Sequence, residues 1–327
     1  MSYMDDAKQY LDKARIGIDQ KDITVFISNI TLAKDKSQSN DPIDNEVKYT
    51  YLKGLYHFNQ FKKALDYIEE CLPQLQDQAR KNKVLIYKGL IQGKLGNFGQ
   101  AIDIFEDLIS EESEIKFMAI NNLMWTYLYL FITESDQKYL ARAIDLGEEH
   151  TEQPSSLSNN KYAKNLLDNL GTAYWYKGEY HQSLKWFNAA LTYQNEDPKL
   201  LNNIAATYIQ LNMFKKAEDY LHKAELMADK TDNLFEKGQT YMISADLYEQ
   251  NQDYSMAVEY YQVALDNFTS AHAFIEANKC FDNIIRLTAM IDRETIGVFT
   301  KHYKDKMQFN FGKRLELKTD TSKEVRL

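Results

Sequence analysis

Between Lys164 and Thr231 the chain nearly repeats its own pattern of apolar and polar positions. At an offset of 34 residues Leu167 falls on Leu201, Leu170 on Ile204, Gly171 on Ala205 and Tyr174 on Tyr208. Tyr180 then falls on Phe214, Ser183 on Ala217, Phe187 on Leu221 and Ala190 on Ala224. Apolar residues recurring every three or four positions predict amphipathic helices. Small residues at fixed places let two such helices approach, and the large ones fill the groove between them. A polar turn between the halves makes each copy a helical hairpin.

The same reading extends in both directions, with offsets that drift from 34 to 47. Towards the N-terminus, Ser2 to Asp19 predicts a helix with Tyr3, Ala7, Tyr10, Leu11 and Ala14 on one side. Asp22 is placed to cap a second helix to about Lys36, buried through Phe26, Ile27 and Ile30. Ser37 to Asp44 reads as a loop. This first pair lacks the small-residue signature, so residues 1–44 are expected to be a capping hairpin, which covers the exposed end of a repeat array. Hairpins follow near Asn45, Asn82 and Lys116. The first two of these keep an aromatic after the turn (Phe61, Phe98) and then an alanine (Ala64, Ala101). The glycine-rich run Gly93 to Gly99 falls at one of these turns, where glycine ends helices. In the hairpin from Lys116 the turn is expected to be enlarged around Thr133 to Lys138, and Glu148 to Asn160 reads as a polar loop. Beyond Thr231, Ala245, Tyr248, Tyr254, Ala257, Tyr261 and Ala264 continue the pattern. A last hairpin begins near Ala271, and residues 311–327 form a polar tail.

The order of small, aromatic, turn, small and large residues at a period near 34 resembles the tetratricopeptide repeat. The resemblance implies an all-α fold: a right-handed α-solenoid of about seven helical hairpins, with the array over residues 45–310. Composition agrees. Four prolines, 12 glycines and no alternating β-branched runs suit helices, and 23 tyrosines suit rings packed from hairpin to hairpin. The formal charge of −9 argues against direct nucleic-acid binding, which needs clustered cations. Residues 301–327 are the exception, with eight Lys or Arg against four Asp or Glu. Cys71 and Cys280 lie too far apart in sequence to suggest a zinc or disulfide framework. The absence of a long apolar run gives the expectation of a soluble, cytoplasmic chain without a membrane partner.

An asparagine recurs at one register of the first helices: Asn122, Asn169, Asn203 and Asn283. On a helix of 3.6 residues per turn this register lies off the packed face, towards the inner wall of a solenoid. An amide offers donors and an acceptor, so successive rungs suit the backbone of an extended peptide. Asn165, Asp168, Tyr176, Lys199, Asn202 and Gln210 are expected to line the same groove, with Trp125 and Trp175 as anchors for apolar side chains. The competing reading is that each asparagine bonds to the neighbouring repeat, and each indole packs between hairpins.

Elongated hairpins with asparagine-lined inner walls are similar to the cytoplasmic peptide-pheromone receptors of low-GC Gram-positive bacteria, the Rap/PlcR-type group. That resemblance covers the repeats and implies a peptide or protein segment as ligand, with a protein partner on the convex face. It supplies no output activity, because residues 1–44 hold one hairpin without the Gln-x-x-(Leu)-Ala…Gly pattern of a DNA-binding module. Six scattered histidines, no metal-ligand spacing, no phosphate loop and no nucleophile motif give no catalytic site and no cofactor. The expected function is non-catalytic recognition of a peptide. The alternatives are an assembly scaffold that binds a folded partner or self-associates as a homodimer, and a regulator that sequesters a transcription factor or response regulator.

Overall fold

The computed structural model describes residues 3–37, 42–75, 77–110, 114–151, 162–193 and 197–291. These fold into fifteen α-helices and one short 3₁₀ turn, with no strand among them. In chain order the helices are α1 (Tyr3–Asp19), α2 (Ile23–Lys36), α3 (Pro42–His57), α4 (Phe61–Cys71), α5 (Gln78–Lys94), α6 (Phe98–Ile109), α7 (Glu114–Glu134) and α8 (Gln137–Thr151). They continue as α9 (Ala163–Lys177), α10 (Tyr180–Leu191), α11 (Pro198–Gln210), α12 (Phe214–Ala228), α13 (Leu234–Gln250), α14 (Tyr254–Ser270) and α15 (Phe274–Ile291). The chain divides into two compact units, Met1–Ala173 and Tyr174–Leu327, the division falling within α9. The polar tail and the second helix of the last hairpin lie outside the described residues.

One turn chemistry joins the helices within each hairpin. A single residue takes positive φ at Lys21, Asn59, Gly96, Ser135, Gly178, Asn212 and Gln252, and again at His272 between α14 and α15. In seven of these eight turns, all but that at Ser135, the next amide donates back to the carbonyl five residues earlier. Asp22 N to Gly17 O at 2.8 Å, Glu179 N to Tyr174 O at 3.0 Å and Asp253 N to Tyr248 O at 2.8 Å are examples. This is the Schellman closure, which satisfies helix-end carbonyls and favours glycine at the left-handed position. Gln252 and Ser135 hold φ of 66° and 56° without that freedom. Replacing either by glycine is expected to raise unfolding free energy by about 1 kcal/mol, read as a rise in the urea midpoint.

The core follows the repeat. The small position of the second helix is sealed from solvent at Ala64, Ala101, Ser183, Ala217 and Ala257, and the large one at Ile68, Phe105, Phe187, Leu221 and Tyr261. Asp22 caps α2 as expected, accepting from Thr24 N at 2.9 Å and Val25 N at 3.0 Å. Both cysteines are buried, and burial pushes the Cys280 thiol up to about 12.

Three expectations are corrected. The loop from Ser37 to Asp44 is shorter, because α3 starts at Pro42, whose fixed φ suits a first helical turn. The turn around Thr133 to Lys138 is not enlarged. Thr133 continues α7, its hydroxyl donating to Tyr129 O at 3.0 Å, and only Ser135 and Asp136 separate α7 from α8. The polar run from Glu148 starts as helix through Thr151, the last turn of α8, in which Gly147 leaves room for the Leu170 and Met124 side chains; residues 152–161 lie outside the description. The first hairpin also has its close approach, with the roles exchanged. Gly17 on α1 meets the α2 backbone so closely that a Cβ would stand 2.6 Å from Phe26 N, and Phe26 occupies the place of the usual alanine.

Candidate functional site

In the N-terminal unit, α7 carries an exposed stripe at helical spacing. Asn122, Trp125, Tyr129 and Ile132 follow one another at three- and four-residue steps, which places them on one face. Trp125 is 50 % exposed, Tyr129 44 % and Ile132 46 %, an unusual run of large apolar side chains for a helix inside an array. Beside this stripe lies a groove of about 190 Å3 between α5, α6 and α7. Its floor is Gly89 against Phe105, its walls are Leu90, Phe98, Trp125 and Tyr129, and Gly93, Lys94, Asn122 and Thr126 complete the lining. The Tyr129 ring leans on Phe98 with centroids 5.2 Å apart. Asn122 donates to Met118 O at 2.8 Å, one turn back on its own helix.

The other predicted residues of this unit lie differently. Asn165 is exposed. Asp168 and Asn169 are buried, and the Asn169 amide donates to Asn121 O at 3.3 Å and to Asn121 Oδ1 at 3.2 Å. Asn121 in turn donates to Phe117 O and to Tyr162 O. Asn169 therefore ties α9 to α7, the arrangement of the competing sequence reading.

In the C-terminal unit, Lys199, Asn203 and Gln210 share one face of α11 with Ala206, at steps of four, three and four residues. Lys199 and Gln210 are exposed and Asn203 is half-buried. Gln210 Oε1 accepts from the Tyr180 hydroxyl at 3.4 Å. Asn202, one residue off this face, is buried and donates to Thr240 Oγ1 at 2.9 Å, fastening α11 to α13. Tyr176 is 37 % exposed, whereas Trp175 is half-buried against Tyr176 and Tyr180. Asn283 accepts from Arg286 at 3.2 Å on α15. Sequence reasoning thus named the polar residues of the α7 and α11 faces. It did not name Tyr129 and Ile132, which the three- and four-residue steps after Asn122 and Trp125 signal, nor Lys94 on α5, for which the sequence carries no such signal.

Among the described residues no group of His, Cys, Asp or Glu is arranged to hold a metal ion, and no helix is long and apolar enough to cross a membrane. What the two faces offer is recognition chemistry: aromatic surface, amides and a lysine. Family models described as tetratricopeptide repeat match residues 166–199, 198–230 and 238–267. These stretches are tetratricopeptide repeats. The fold agrees along the chain. A Signal Transduction ATPase with Numerous Domains protein with a tetratricopeptide repeat sensor, from Pyrococcus horikoshii, superposes with a TM-score of 0.60 at 19 % identity, over 93 % of this chain and 46 % of its own. This chain thus spans about half of that protein. The apo form of RapI matches at 0.51 and 14 % identity, over 98 % of this chain and 99 % of its own. A Rap protein complexed with Competence and Sporulation Factor matches at 0.51 and 12 % identity, over 89 % and 86 %. At such identities the likeness is one of fold, an α-solenoid of tetratricopeptide hairpins. No curated protein matches the sequence.

Proposed function

We propose that this tetratricopeptide repeat protein is a non-catalytic receptor for a peptide or an extended protein segment, held on the exposed faces of its first helices. The observation that carries the reading is the α7 stripe, where Trp125, Tyr129 and Ile132, each between 44 % and 50 % exposed, follow Asn122 on one helix face. Exposed aromatic surface next to amides is the composition of binding hot spots. In the N-terminal unit Asn122 is the rung that meets the ligand backbone, with Asn165 as a further contact; in the C-terminal unit the rung is Asn203, with Tyr176, Lys199, Gln210 and Asn283 as further contacts. Asn169, Asn202 and Asp168 act one layer behind, holding the helices that carry the rungs. The fold neighbour that was solved with Competence and Sporulation Factor supports a ligand of this general kind.

The division of labour is testable by paired substitutions. Asn203→Ala is expected to weaken ligand binding at least tenfold while changing stability by no more than about 0.5 kcal/mol. Asn169→Ala strips a buried donor from Asn121 and is expected to cost about 1–2 kcal/mol of stability. Binding by calorimetry and urea midpoints for both variants decide the matter. Equal losses of stability with unchanged binding would make the asparagines structural throughout.

A further inference from the structure

The groove between α5 and α7 has a glycine that neither backbone nor packing requires. Gly89, at its floor, is demanded by contact: a Cβ there would stand 2.6 Å from the Phe105 ring. Gly93, one turn further along α5, has nothing within 4 Å of the place its Cβ would take, and its φ is not in the left-handed region. A glycine inside a helix is less favourable than alanine, and here no close approach offsets that. What Gly93 leaves is space, bounded by Leu90, Phe98, Trp125 and Tyr129. The volume of about 190 Å3 lies below the roughly 300–1,000 Å3 of sites that enclose a whole small molecule. It matches one bulky side chain. Lys94 stands exposed at the edge, and no ion pair holds it among the described residues. The Asn122 amide donates to Met118, so its Oδ1 remains as an acceptor for a backbone N–H.

We infer that this groove is a specificity pocket that takes one leucine-sized or aromatic side chain of the bound peptide, with an adjacent carboxylate of the same peptide on Lys94. The inference rests on the peptide-receptor reading and adds the ligand's chemistry. An acidic ligand also suits the site locally: its only charged lining residue is a lysine, in a chain of net charge −9.

The test is parallel selection of a random linear peptide library on the full-length wild-type protein, on Gly93→Leu and on Lys94→Glu. Gly93→Leu fills open space and improves helix propensity, so its thermal midpoint is expected to equal or exceed that of the wild type. The expected result is wild-type enrichment of peptides pairing a bulky apolar residue with Asp or Glu. Those peptides should lose at least tenfold in affinity for Gly93→Leu, and the acidic preference should vanish on Lys94→Glu. Wild-type peptides without that pairing, or peptides that bind Gly93→Leu unchanged, overturn the pocket and leave the receptor reading standing. A wild-type protein that selects no peptide overturns both. So does a wild-type dimer that Gly93→Leu dissociates without any peptide being selected, which gives the groove to a second copy of the chain.

Discussion

Phe26→Ala is expected to lower the unfolding free energy of the N-terminal unit by about 3–5 kcal/mol, the range for deleting a buried phenylalanine ring. Phe26 is 1 % exposed and sits in the cluster of Leu11, Ala14, Ile18, Ile30, Ala33 and Val47. Its ring is 5.4 Å from that of Phe58 and stacks at 6.3 Å on that of Tyr51, so α1, α2 and α3 all meet on it. Gly54 makes room for that ring, because a Cβ on Gly54 would fall 2.0 Å from Phe26 Cζ. Gly54→Ala alone is therefore expected to cost about 1–3 kcal/mol by overpacking. Combined with Phe26→Leu, which withdraws the ring, it should cost less than the sum of the two single changes. A double-mutant cycle in urea measures the coupling. Strict additivity would mean that α3 does not rest on Phe26.

Asp246→Asn is expected to stabilise the C-terminal unit at pH 8 and to do little at pH 4. Asp246 on α13 accepts from the Tyr261 hydroxyl of α14. The same hydroxyl lies 3.2 Å from Glu249, which Arg286 of α15 binds at 2.7 Å. Burial, aided by the charge of Glu249 and opposed by Tyr261 and Arg286, lifts the Asp246 carboxyl to about 6. An unfolded aspartate titrates near 3.9, so the folded state holds this proton more tightly. Stability from this group is thus full below about pH 4 and is lost as pH rises through 6. The shift of about two units corresponds to at most about 3 kcal/mol, and an asparagine carbonyl still accepts from Tyr261. Urea midpoints of both proteins at pH 4 and pH 8 test the sign. A variant that is less stable than the wild type at pH 8 would mean that the charged carboxylate, through Tyr261, holds α14 in place.

Much of this protein was legible in its sequence for a simple reason: a repeat states its packing rule several times. Gly171 on Ala205 and Ser183 on Ala217 identify the small positions without knowledge of the fold, and the structure buries all four. The asparagine register was less informative. Asn169 and Asn203 occupy equivalent positions, yet Asn169 is buried against Asn121 while Asn203 is only half-covered. The difference comes from the preceding helix. α7 is 21 residues long and stands 47 residues before α9 in register, so it presents Asn121 to the α9 amide, a pairing that offset counting does not foresee. Likewise, Gly93 to Gly99 read as one turn. Only Gly96, at φ +84°, belongs to it; Gly93 lies in α5 and Gly99 in α6. Residue type announces a glycine, but only the neighbours say whether it serves a turn, a close contact or an open space.

The measurement that tests the receptor reading most directly is native mass spectrometry of the full-length chain isolated from the cell that makes it, before and after mild acid stripping. The account predicts the mass of the chain plus an increment of peptide size, lost on stripping and restored by adding the released material back to the wild type but not to Trp125→Ala. A bare chain mass, or increments that correspond only to whole folded proteins or further copies of the chain, would contradict it and make the array a scaffold.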